Sequence, residues 1–207
     1  MNQPPTYHPP YDSPIEDEFA LQASKYFSEN VDLSTQVEYK TICGKFRVDF
    51  LAISSCGIKT IIECDGKDYH DEHRDEWRDA MILGSNDVDE IYRIRGVDIV
   101  YHLEDVMFAL SMWSPQLFDD RQKYNLRKIA SEELEGRLVS REDTIFSHYA
   151  KSKKGPNIQV RLFIEKRHKY IPDGKRQFWE AAFKFADSQS GGDLDTVIKK
   201  HADINLQ

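Results

Sequence analysis

Residues 58–65 form an isoleucine-rich run that carries two acids, Glu63 and Asp65, two residues apart. Alternate residues of a strand share a face, so a strand here sets both carboxylates side by side. A second run, residues 45–53, alternates Phe46, Val48 and Phe50 with Arg47, Asp49 and Leu51. The Ser54-Ser-Cys-Gly57 segment between the runs reads as a hairpin turn. Placing Asp49 opposite Glu63 fixes a register in which paired residue numbers sum to 112. Ile53 then faces Lys59, Leu51 faces Ile61, and Arg47 faces Asp65. Three acids thus share one face of a hairpin flanked by apolar residues. Like charges in that setting repel and resist burial. A sequence tolerates them mainly where a divalent cation or a catalytic proton is involved.

The elements around the hairpin follow from local signals. Residues 1–12 are a Pro/Tyr-rich lead expected to be disordered. Ser13-Pro14-Ile15-Glu16 reads as a helix start with a capping box. Ile15, Phe19, Ala23, Tyr26 and Phe27 give that helix an apolar face. Residues 35–42 make a first strand. A helix over 71–84, a fourth strand from Glu90 to Arg95 and a helix from Leu103 to Trp113 follow the hairpin. The expectation is an α/β fold, with a meander extended by a crossover strand over residues 13–113.

Residues 114–207 are less regular, and an α+β extension is the expectation. Ser114-Pro115 reads as a helix start, with Leu117, Tyr124, Ile129 and Leu134 as core contacts. Residues 151–156 read as a loop, Gln159 to Ile164 as a strand and Lys175 to Phe185 as a helix. Ser/Gly-rich residues 188–192 precede a short terminal helix.

Net charge is −8, but it is unevenly spread. Residues 1–120 hold 10 Lys/Arg against 24 Asp/Glu, whereas residues 121–184 hold 16 against 8. An acidic first part joined to a basic second part implies two jobs, and the basic part is a candidate nucleic-acid contact. The alternative is two solvated surfaces of opposite sign. Cys43, Cys56 and Cys64 lack the spacing of a disulfide framework or a zinc site. No apolar run is long enough for a membrane span, and a cytoplasmic protein is expected.

Asp49, Glu63 and Asp65 suit a hard cation such as Mg²⁺ through oxygen. The structural alternative makes Asp49 and Glu63 ion-pair partners of Arg47, Lys59 or Arg95. His70 is a general base, a metal ligand or a structural loop histidine, with His73 as a competitor. Glu16 either reaches the metal or only completes its capping box, and Glu18 is a fallback. Lys67 either contacts a phosphate or is solvated. Asp75 and Arg78 are spaced for a salt bridge along their helix. Arg93 and Arg95 alternate on the fourth strand and either contact nucleic-acid phosphates or neutralise the acids. Cys64 reads as a small buried hydrophobe.

Taken together, Glu16, Val48-Asp49-Phe50, Ile62-Glu63-Cys64-Asp65-Gly66, His70, Asp75, Arg78, Leu83 and Tyr92-Arg93-Ile94-Arg95 form a pattern. That pattern resembles the PD-(D/E)XK nuclease superfamily, within it the Vsr-like group related to the very-short-patch-repair endonuclease. The likeness covers about residues 13–113. It implies a restriction-endonuclease-like αβββαβ core and Mg²⁺- or Mn²⁺-dependent hydrolysis of DNA phosphodiesters. By that likeness Asp49 is the principal metal ligand, Glu63 and Asp65 complete the acidic site, and His70 assists proton transfer. A cation between Asp49, Glu63 and the backbone carbonyl of Cys64 is the corresponding metal site. The sequence departs from the superfamily at Asp65, which stands where many relatives have lysine. Lys67 is then a candidate substitute.

A metal-dependent endonuclease is therefore the leading expectation, with DNA as partner and RNA left open. Cutting both strands calls for two active sites, so a dimer is compatible with it. The alternatives are a nuclease-like nucleic-acid-binding module without turnover and an interaction subunit of a phage or defence system.

Overall fold

The computed structural model describes residues 8–66, 71–85, 87–131, 134, 145–151, 158–169 and 178–205. Helix α1 (Pro14–Tyr26) starts where the capping signal predicts, with the Ser13 side chain accepting the Glu16 N–H at 3.4 Å. Strands β1 (Asp32–Thr41), β2 (Gly44–Ile53) and β3 (Lys59–Asp65) follow as an antiparallel meander. Helix α2 (Glu72–Gly84) carries the chain across to β4 (Glu90–Arg95), which pairs parallel to β3. Helix α3 (Gly96–Trp113) returns over the opposite face. This is the expected α/β order.

A 3₁₀ turn (Pro115–Leu117) and α4 (Asp120–Ile129) then precede β5 (Ile145–Lys151), β6 (Ile158–His168), α5 (Phe178–Ser188) and α6 (Leu194–Asn205). Strand β6 pairs antiparallel with β4, giving one six-stranded mixed sheet in the order β1-β2-β3-β4-β6-β5. A boundary at residue 113 therefore coincides with no break in the sheet.

Two cores flank the sheet. One joins α1, α3 and α4 through Phe19, Phe50, Ile62, Tyr92, Met107, Trp113 and Leu126. The other joins Tyr39, Val48, Leu51, Ile61 and Ile91 to Ile82 and Leu83 of α2, with α5 and α6 packed outside through Ala182, Ala186 and Val197. Each fully buried aliphatic side chain contributes about 1.5–3 kcal/mol, so these layers hold the sheet rigid under the site.

The β2–β3 register matches the predicted sum, with Phe50↔Ile62, Leu51↔Ile61, Ala52↔Thr60 and Ile53↔Lys59. The side-chain alternation of β2 does not persist along its length. A regular strand sets residues 48, 50 and 52 on one face. Phe50 and Ala52 lie in the first core, but Val48 lies in the second beside Leu51. On β1, Leu33 packs against the first core while Val37 and Tyr39 belong with the second. Both strands change face at one place. There Gln36 has a left-handed backbone, φ 54°, and the β1–β2 ladder runs from Thr35↔Phe50 to Val37↔Val48, skipping Gln36 and Asp49.

Several local expectations are corrected. Of the lead, residues 8–12 are ordered against the body. Tyr11 meets the Phe50 ring edge-on at 5.8 Å, and its N–H donates to Asp17 Oδ1 at 2.7 Å. Residues 1–7 lie outside the described residues. Helix α3 begins at Gly96 rather than Leu103, because non-helical angles at His102 interrupt the apolar period. Leu117 and Leu134 are buried as expected, whereas Tyr124 and Ile129 are exposed. Strand β5 was not expected, and Lys151 belongs to it rather than to a loop. Among the described residues no helix is long and apolar enough to cross a membrane.

Candidate active site

The β2–β3 ladder stops at Phe50↔Ile62, and the two strands part beyond it. Asp49 fills the gap, its Oδ2 accepting the Cys64 N–H at 2.8 Å. N–H and C=O of one extended residue point to the same side, so the Cys64 carbonyl faces this gap too. Glu63 and Asp65 flank Cys64 on β3, and Glu16 enters from α1. These four acids line one cleft of about 460 Å³, with Lys45, Arg47, Arg74 and Arg78 among its cationic residues.

The acids are held by specific partners. Glu16 Oε2 accepts from Gln36 Nε2 at 2.8 Å, and its Oε1 accepts from Ser13 Oγ at 2.8 Å. Arg78 Nη2 donates to Glu63 Oε1 at 2.8 Å and to the Arg47 carbonyl at 2.6 Å. Arg93 Nη1 donates to Asp65 Oδ1 at 3.0 Å. Its other nitrogens form a fork on Asp79, Nε to Oδ2 at 2.8 Å and Nη2 to Oδ1 at 2.9 Å. Arg167 of β6 reaches the same Asp79 at 2.6 Å.

Burial pushes Asp49 up to about 6, with the Cys64 N–H pulling it back and Glu16 adding repulsion. Burial pushes Glu63 up to about 8; Arg78 opposes the rise and Asp49 adds to it. Burial also drives the Cys64 thiol well above its ordinary value, as expected of an inert buried sulfur.

No protein-family model matches the chain, and no curated protein or solved structure matches it either. The site must therefore be judged by its own geometry.

The structure brings Asp49, Glu63, Asp65, Glu16 and the Cys64 backbone together. Lys67 and His70 lie outside the described residues. Glu18 is exposed, and so is His73, which stands edge-on to the Trp77 ring at 6.5 Å. The structural alternative for Asp49 and Glu63 fails in its partners: Arg47 pairs with Asp12, Lys59 with Asp87 and Arg95 with Asp98. The β2–β3 ladder ends at Phe50↔Ile62, so neither the expected Asp49–Glu63 pair nor the Arg47–Asp65 pair forms across it. Arg93 is 5% exposed and serves as internal counter-ion to Asp65 and Asp79, so it is no surface phosphate contact. Arg95 is half-exposed beside Asp98, with its guanidinium over the Phe163 ring at 5.4 Å.

The expected Asp75–Arg78 pair along α2 is replaced by contacts to the sheet. Arg78 takes Glu63, and Asp75 Oδ2 stands 3.5 Å from Arg93 Nη1. Sequence reasoning missed Asp79, Arg167 and Gln36. For Asp79 the available signal was its spacing: it lies one helical turn beyond Asp75, on the face that also turns toward β4.

Hard carboxylate and carbonyl oxygens suit Mg²⁺ or Mn²⁺ in donor chemistry. Arg78 and Arg93 pair with Glu63 and Asp65. Among the described residues no three His, Cys, Asp or Glu side chains stand together as a ready metal site.

Proposed function

We propose that the chain is a metal-dependent endonuclease that hydrolyses DNA phosphodiesters on a PD-(D/E)XK-like core, acting in the cytoplasm. The observation that carries the reading is the pair Asp49–Glu63: two carboxylates that line one cleft beyond the end of the β2–β3 ladder, where burial disfavours their charge. Such a pair is costly to the fold and is relieved by a cation. Asp49, Glu63 and the Cys64 carbonyl would hold Mg²⁺ or Mn²⁺. A bound divalent cation supplies Lewis-acid polarisation of a phosphodiester.

The chain's own residues supply the rest. Lys45, Arg47 and Arg74 are exposed at the cleft, paired with Glu38, Asp12 and Asp195, and would exchange those partners for a polyanion with salt-sensitive affinity. Arg78 faces Glu63 in the resting state and is a phosphate donor once released. Asp65, Lys67 and His70 are the candidates for moving the proton of the attacking water. Basic residues 121–184 extend the DNA contact. The engagement of Glu63 and Asp65 by arginines favours one rival, a nucleic-acid-binding module without turnover.

Incubation with supercoiled plasmid, single-stranded DNA and RNA, with Mg²⁺, Mn²⁺ or chelator, separates the two. The nuclease reading expects metal-dependent nicking that Asp49→Ala abolishes. Binding without nicking in any metal establishes the rival. Nicking that survives Asp49→Ala moves the chemistry elsewhere.

A further inference from the structure

We propose that Gln36 is a positioning residue that holds the Glu16 carboxylate at the cleft, a role that rests on the nuclease reading of the site. Three observations meet at this residue. Its backbone is left-handed, φ 54°, in the middle of a strand. It lies opposite Asp49, at the step the β1–β2 ladder skips. Its amide Nε2 donates to Glu16 Oε2 at 2.8 Å, and Glu16 is 5% exposed.

The backbone need and the side-chain identity come apart here. The left-handed step lets both strands change face, so that Val37 and Val48 reach the core beneath α2 while Leu33 and Phe50 stay under α1. Glycine meets that need without a steric penalty, and asparagine is the next best choice. Glutamine is a poor choice for it. Strain kept at a functional site is a recurrent sign that the side chain is needed there.

The amide has a definite task in this position. Glu16 and Asp49 line the same cleft as like charges. A free Glu16 would swing away from Asp49. Gln36 and the Ser13 hydroxyl each donate to one of its oxygens, fixing the carboxylate's direction. Glu16 is then an outer acceptor for the groups that gather at Asp49. Groups hydrogen-bonded to metal ligands typically change metal affinity or activity by about 10–100-fold when removed, and Gln36 acts one step further out, through Glu16.

The test uses the full chain with Gln36→Gly and Gln36→Glu. Gly keeps the left-handed backbone and deletes the amide; Glu keeps the size and replaces the donor with a charge. Three quantities are read: the thermal midpoint, Mn²⁺ affinity by calorimetry, and kcat with KM on a labelled duplex. The proposal expects Gln36→Gly to melt at or above the wild-type temperature, while Mn²⁺ affinity and kcat fall at least about tenfold and KM stays nearly constant. Gln36→Glu is expected to be worse in kcat than Gln36→Gly.

Unchanged Mn²⁺ affinity and kcat in Gln36→Gly overturn the proposal and leave the nuclease reading intact. A wild-type chain that binds Mn²⁺ without cleaving overturns the nuclease reading, and the affinity of the Gly variant still decides the role of Gln36. A wild-type chain that neither binds nor cleaves overturns both.

Discussion

Asp79 and Glu63 are both buried carboxylates beside arginines, 0% and 4% exposed, yet they are treated in opposite ways. Burial alone would push Asp79 up, but Arg93 forks onto it and Arg167 adds a second guanidinium, so it is held below its ordinary value. Burial pushes Glu63 up as well, and there Arg78 at one oxygen, with Arg93 farther off, does not offset it against Asp49. The difference separates an ion-pair hub that knits α2, β4 and β6 from a carboxylate left short of positive charge. A fold that can surround Asp79 with two arginines has the means to neutralise Glu63 as well. It gives Glu63 one guanidinium at one oxygen, and a cation at Asp49 and Glu63 would add charge that the pair lacks.

The comparison breaks most readily on activity. Asp49→Ala should lower metal-dependent cleavage by roughly a thousandfold or more, since a Lewis-acid metal is worth several kcal/mol in the transition state. Its circular dichroism should stay native. Residual cleavage near wild type would return Asp49 to the status of a strand-end cap for the Cys64 N–H.

Stability sharpens the contrast between the two acids. Asp79→Ala leaves Arg93 and Arg167 buried without their shared partner and should cost about 3–5 kcal/mol in urea unfolding. Glu63→Gln should cost less than Asp79→Ala at pH 8, because the amide oxygen still accepts from Arg78 while a charge disfavoured by burial is removed. Equal large losses in both variants would mean that the two acids play the same structural part.

The same two acids set a pH dependence. Glu63 titrates near 8 in the fold against 4.5 ordinarily, and Asp49 near 6 against 3.8. Both folded values are raised, so the native state binds more protons than the unfolded chain between the paired values. Stability of the metal-free protein should therefore fall as pH climbs from about 4 to 8. Glu63→Gln should flatten the upper part of that slope. A stability that rises steadily to pH 8 would show that neither acid is held high.

Much of this arrangement was legible in the chain. The hairpin of 45–53 and 58–65 announced itself through alternation and a Ser/Gly turn, and its register follows from setting the acids opposite one another. Ser13-Pro14 marks the helix that carries Glu16 by local chemistry alone. The acids' partners were not legible, because they are set by tertiary approach. Arg78 is spaced to pair with Asp75 but reaches across to Glu63, and Arg167 comes from a strand far along the chain. The face change at Gln36 was hidden as well, since a glutamine carries no sequence sign of a left-handed backbone. The kink at His102 disguised the first turns of α3 in the same way.

The most direct test of the cation site is a crystal structure of the full chain soaked in Mn²⁺, read by anomalous scattering at the manganese edge. The account predicts a peak bounded by Asp49, Glu63 and the Cys64 carbonyl, with the Arg78 guanidinium moved off Glu63. A cleft that stays without a peak at saturating Mn²⁺, with Arg78 still 2.8 Å from Glu63, would contradict it.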